Sequence, residues 1–258
     1  MVSNTSHGVA EAPSNYSLYF PNGYPDVLDR RANKWVKENA WKNYVHENLR
    51  ILGGRPFEQL VKASPEYLSS CAKGKGTFLN HAFPDKNQLL CMGYDYAGAH
   101  TGLREEFDAY LSRMRYIVPA YMTARRGMTV AIPRLERTAH LSDRCNANTG
   151  SPRFVIYRND IASLDDQASS IIRLAQKVPL AAVVVSGEGR LDAWFAVSKR
   201  SATAIKKFRK EATYLGSGDG THLNCRLVAL PCGPFCGPFS RSELGHKIVY
   251  FDSAAFSA

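Results

Sequence analysis

Apolar and polar positions run in two rhythms along this chain, and each change of rhythm marks an element. Residues 153–158, RFVIYR, read as a strand. Ser163 is placed to cap a helix that runs to about Lys177, and Asp166 three positions on completes a capping-box-like start. Leu164, Ile171, Ile172 and Ala175 make its inward stripe. Residues 180–185 are apolar throughout, as in a strand buried on both faces. A glycine turn follows, then a strand over 190–197. Ser201 opens a further helix with Ile205, Phe208 and Ala212 inward. Residues 225–230 predict the last strand of this unit, and 247–251 one more.

The first half is less regular. Residues 1–25, rich in Ser, Asn, Pro and Gly, read as a mobile tail. Residues 26–55 read as a helical segment, with Leu28, Trp35, Trp41, Val45 and Leu49 at near-helical spacing and Gly53-Gly54 as its stop. A short helix fits 56–63, and another fits 103–114 with Phe107, Leu111 and Met114 on one stripe. The apolar runs 88–92 and 116–119 predict strands, and residues 253–258 a short tail.

Strand, helix, strand, strand, helix, strand is the order of a split βαβ core, βαββαβ, as in ferredoxin-like and RRM-like folds. The fold class expected is therefore α+β, with this core over residues 151–232 inside a larger domain over 56–252. Helices cover one face of such a sheet. Period-two counting along the strand 190–197 sets Leu191, Ala193, Phe195 and Val197 against those helices. Arg190, Asp192 and Trp194 then face the other way, toward a ligand or a second layer.

Composition narrows the class. With 258 residues, 45% of them hydrophobic and 22% charged, the chain can bury a substantial core. The longest apolar run, 178–185, contains a proline and is too short to cross a bilayer. The first fifteen residues hold no apolar signal segment. These features predict a soluble, cytoplasmic protein without a membrane partner. A formal net charge of +10 favours an anionic partner such as nucleic acid. Lys199, Arg200, Lys206, Lys207, Arg209 and Lys210 precede the first acid, Glu211, and lie opposite the Ile205/Phe208 stripe. They form either a phosphate-binding face or a plain solvated one. His222, Cys225, Cys232 and Cys236 crowd one segment, spaced by two, six and three residues. They are either zinc ligands or reduced loop cysteines that come with the Cys-Gly-Pro-Phe repeat.

Several short motifs, in order, point further. The hairpin reads Ser186-Gly187-Glu188-Gly189-Arg190-Leu191-Asp192-Ala193-Trp194. Ile117-Val118-Pro119-Ala120-Tyr121-Met122 precedes Gly127, Asp165-Asp166-Gln167 opens the first helix of the core, and Leu215-Gly216 follows the second. Together these resemble the primase-polymerase domain of the archaeo-eukaryotic primase superfamily, in the versions carried by plasmids, phages and integrated elements. The likeness spans roughly residues 56–252.

The resemblance implies two-metal phosphoryl transfer, with carboxylates clamping two divalent cations. This chain departs from that pattern at four places. The first motif implies two acids one residue apart, and here Arg158-Asn159-Asp160 stands, with one acid. A guanidinium cannot bind a metal and repels one. The second motif implies a histidine on nucleotide phosphates, and here Asp192 stands. The third acid follows Leu-Gly after one residue, and here Gly218 stands with Asp219 beyond it. The arginine before the late proline is replaced in Ala229-Leu230-Pro231, with Arg226 earlier.

The expectation is a catalytically degenerate primase-like protein, from a mobile element, that binds nucleic acid, single-stranded DNA above all, or a replication partner such as a helicase. Its degenerate catalytic positions are Arg158, Asp160, Ser186, Gly187, Asp192 and Asp219. Its nucleic-acid-binding candidates are Arg190, Trp194, Lys199, Arg200, Lys206, Lys207, Lys210 and Arg226. No cofactor is expected. One alternative is an active nucleotidyltransferase whose Asp160, Asp192 and Asp219 bind magnesium or manganese. Another is an RNA-recognition-like module stacking bases on Trp194 and Phe154. Arg158 and Asp192 together resemble a swap of charge across the sheet, which predicts an ion pair between them with Asp160 sharing the arginine.

Overall fold

The computed structural model describes residues 54–68, 72–95, 98–125, 129–132, 137–140, 146–159, 162–186, 189–217, 225–231 and 246–257. The chain divides into two units, Met1–Asn39 and Ala40–Ala258, and all described residues belong to the second. The expected tail over 1–25 and nearly all of the helical segment over 26–55 lie outside the described residues.

The fold is α+β. Helix α1 is Pro56–Lys62 and α2 is Ala72–Ala82. Strands β1 (Leu89–Gly93) and β2 (His100–Leu103) lead into a 3₁₀ helix, Arg104–Tyr110, and the short β3 (Tyr116–Ile117). A hairpin of β4 (Thr129–Ile132) and β5 (Arg137–His140) follows. The second half runs β6 (Phe154–Tyr157), α3 (Leu164–Ala175), β7 (Leu180–Ser186), β8 (Arg190–Ala196) and α4 (Ala202–Tyr214). It ends with β9 (Val228–Ala229), β10 (Lys247–Phe251) and a 3₁₀ helix, Ala254–Ser257.

Both second-half helices start at the predicted serines. The Ser163 hydroxyl accepts from the Asp166 N–H, and the Ser201 hydroxyl from the Ala204 N–H. Each satisfies a donor that the helix itself leaves open. Helix α4 buries Ile205, Phe208 and Ala212, as its apolar spacing requires.

Two four-stranded antiparallel sheets result, in the orders β2-β1-β3-β9 and β10-β7-β8-β6. In the second, β8 lies between β6 and β7 and is antiparallel to both, so β6 and β7 run parallel with α3 connecting them. The fourth strand differs from expectation. Residues 225–230 supply β9 to the first sheet, where it pairs with β3, and β10 takes the edge beside β7. Pairing with β3 places Val228 and Leu230 in the same apolar cluster as Ile117 and Met92.

The second sheet is covered on both faces. Val155, Tyr157, Leu191, Ala193, Phe195 and Val197 pack with Ile171 and Leu174 of α3 and Ile205 and Phe208 of α4. On the other face Phe154, Ile156 and Trp194 pack with Phe78 and Phe83 near α2 and with residues of the first sheet. Trp194 meets Phe78 and Phe154 edge-on, with ring centroids 5.1 and 5.4 Å apart.

Two further expectations change. Residues 103–114 are not one α-helix: the 3₁₀ helix ends at Tyr110, though Phe107, Leu111 and Met114 all point into the core as the stripe required. The last residues are not a tail. Phe256 is 5% exposed and its ring packs against Phe78, Phe154 and Phe251.

Candidate functional site

The candidate site forms where β6 and β8 lie side by side. Their register pairs Tyr157 with Ala193, so the next position sets Arg158 opposite Asp192. The Arg158 Nε donates to Asp192 Oδ1 and its Nη2 to Oδ2. This is a bidentate pair, the strongest geometry for a guanidinium and a carboxylate. It is also dry: the Asp192 side chain is fully buried and that of Arg158 is 10% exposed. The ion pair expected from the swapped charges is present. Asp160, expected to share the arginine, lies outside the described residues.

Two buried residues that the sequence did not single out belong to the same surroundings: His246 feels the charges of Asp192 and Arg158, and also that of Lys75. His246, just before β10, is buried and bonds the Leu230 carbonyl through Nδ1 at 3.2 Å. Burial lowers its pKa, the Leu230 carbonyl and Asp192 raise it, and Lys75 and Arg158 lower it, with burial dominant. Lys75 of α2 is 1% exposed, and its ammonium donates to the carbonyls of Leu111, Ser112 and Met114 at 2.9, 3.3 and 2.8 Å. Both come to the site through long-range packing, which no local pattern signals.

The electrostatics run against a divalent cation at Asp192. Both carboxylate oxygens already accept from a fixed cation, and a second buried cation, Lys75, is near enough to act on the same histidine. Magnesium keeps several waters when bound, and a fully buried carboxylate offers no room for them. Asp219 lies outside the described residues with Asp160. Of the zinc candidates only Cys225 is described, as a partly exposed cysteine; His222, Cys232 and Cys236 are outside.

The hairpin is held from below. Gln167 of α3 accepts from the Leu191 N–H at 2.7 Å and donates to the carbonyls of Ala162 and Gly189 at 2.8 and 3.2 Å. Gly189 has φ of 73°, a left-handed turn position that suits glycine. Ser186 spends its hydroxyl on the Arg190 carbonyl at 3.3 Å, and Gly187 is outside the described residues. Asp165 accepts from the Phe57 N–H at 3.0 Å, tying α1 to α3. The Asp165-Asp166-Gln167 motif thus does structural work here.

The nucleic-acid candidates do not converge. Trp194 is fully buried under α2 and Phe154 is 4% exposed, so neither offers a face to a base. This corrects the expectation of a stacking platform: the face it needed is occupied by the first sheet and α2. Arg190 sits at the hairpin turn, and Arg226 leads into β9 of the other sheet. Lys199, Arg200, Lys206, Lys207 and Lys210 do gather, all exposed, at and before α4 on the helix side of the sheet. Lys199 donates to the Ser257 carbonyl.

No family model, curated protein or solved structure matches the chain. No described helix is long and apolar enough to cross a membrane.

Proposed function

We propose that this chain is a catalytically degenerate primase-like protein, of mobile-element type, that binds single-stranded nucleic acid or a replication partner. The observation that carries this reading is the buried Arg158–Asp192 pair. It stands where the resembling motifs place a metal-binding acid and a phosphate-binding histidine, and a fixed cation there replaces the charge that metals would bring. The parallel β6 and β7 around β8, joined by α3, support the split βαβ arrangement of that family, with the fourth strand drawn into the neighbouring sheet. The basic cluster at α4 supports the nucleic-acid partner. An active enzyme with Asp192 as metal ligand is disfavoured, because that carboxylate is committed to Arg158 on both oxygens.

Isothermal titration with magnesium and manganese tests the reading. The expected result is no binding tighter than about millimolar, ~4 kcal/mol. A two-site isotherm that Asp160→Ala abolishes contradicts it.

A further inference from the structure

We propose that a hollow between the C-terminal end of α3 and the first two turns of α4 seats one nucleotide of a single-stranded nucleic acid, with its phosphate between Arg200 and Lys207. The proposal rests on the nucleic-acid reading above and adds the path of the strand: along the helix side of the sheet, away from Arg158 and Asp192.

The hollow measures about 250 Å³ and has an apolar floor that includes Val178, Val197 and Phe208. Its rim carries three cations, Lys177, Arg200 and Lys207, against one acid, Glu211, which is already paired with Lys177. Arg200 and Lys207 are exposed and make no ion pair among the described residues. The start of α4 lies at the same place, since Arg200 and Ala204 both line the hollow. That first turn holds no acid, whereas α3 carries Asp165 and Asp166 in its own. The positive end of the α4 dipole is therefore uncompensated and adds to the pull on an anion.

Size and chemistry select the ligand. Pockets for free small ligands are commonly roughly 300–1,000 Å³, so this one suits a single unit of a longer chain. A cationic rim over an apolar floor matches a phosphate beside the flat face of an unpaired base, the pattern of single-strand binding. Helical spacing separates the basic residues into two flanks. Lys207 shares the hollow's side with Ala204 and Glu211, and Lys206 and Lys210 share another side and do not line it.

Anisotropy of a labelled oligo(dT) on the full chain, over a salt series, tests the proposal. Arg200→Gln with Lys207→Gln should lower the slope of log affinity against log salt by about 1.4, about 0.7 for each of two phosphate contacts. Affinity at low salt should fall about tenfold. Lys206→Gln with Lys210→Gln, in the same basic cluster but off the hollow, should lower each by less than half as much, and Arg200→Lys with Lys207→Arg should keep the slope. A strand of the same length without bases should bind the native chain about fivefold or more weakly, the least that one seated base contributes. All four positions are exposed, so thermal unfolding should not move and reports folding independently. Equal effects of the two double substitutions, or no effect of the first, overturn the hollow and leave the binding reading intact. Equal binding of the strand without bases overturns the base seat. A native chain that ignores the oligonucleotide, or binds only anionic vesicles, overturns the hollow together with the nucleic-acid half of the reading above, and leaves the replication-partner half and the Arg158–Asp192 argument standing.

Discussion

Asp192→Ala removes the buried carboxylate that Arg158 pairs with, in a site where 10% of the arginine side chain reaches solvent. Arg158→Ala leaves a carboxylate with no solvent access at all. Breaking a buried pair from either side costs roughly 3–5 kcal/mol, because the remaining charge keeps its desolvation penalty and loses its compensation. If the two effects were independent, the double alanine variant would lose roughly 6–10 kcal/mol, comparable with the whole stability of a domain. Removing both charges together removes both penalties, so the double variant should cost little more than either single one. The coupling energy should then be about 3–5 kcal/mol, close to the loss of one single variant. Arg158→Met with Asp192→Leu fills the same space without charge and should be close to neutral or stabilising. Urea unfolding followed by circular dichroism measures all four corners of the cycle, with an unchanged denaturant slope as the check on two-state behaviour. Additive losses, with coupling near zero, would refute the claim that the two residues form one buried unit.

Gln167→Ala strips the Leu191 N–H of its acceptor in a buried place and should cost about 1–3 kcal/mol of stability, measured by the same unfolding assay; a loss within error of zero contradicts the clamp. His246 provides a pH test. Burial holds its folded pKa below the unfolded value of about 6.5, against the pull of Asp192 and with Lys75 and Arg158 acting in the same sense as burial. Above about pH 6.5 the residue is neutral in both states and adds no pH dependence. As pH falls below that, the unfolded chain takes up the proton first, so stability falls until the lower folded pKa is reached. His246→Gln should flatten the unfolding midpoint in that window relative to the native chain, and an identical slope in the two proteins rules the contribution out.

The local rules of the second half were legible because local chemistry sets them. Ser163 and Ser201 are caps whatever the helices pack against, and alternation fixed which way Asp192 and Trp194 point. The Arg158–Asp192 pair was expected only through the resemblance, whose motifs set an acid and a histidine facing each other across the sheet at these two positions. What covers Trp194 was not readable, since alternation gives parity and not the neighbour across the face. Helix α2 was missed because Gly74 and Gly76 weaken its propensity, and tertiary packing of Phe78 and Leu79 holds it instead. Strand β9 went to the other sheet because a two-residue strand carries no pattern, and its partner β3 is distant in sequence. Lys75 and His246 reach the site through the same long-range contacts.

Template-dependent primer synthesis and extension, with magnesium and with manganese, tests most directly the claim that the primase-like frame has lost its chemistry. The account predicts no nucleotide incorporation with either metal, from protein that still binds the single-stranded template with a negative salt slope. Incorporation that Asp192→Asn or Asp160→Ala abolishes would contradict it, because the carboxylate removed would then be serving the chemistry that the account says is lost.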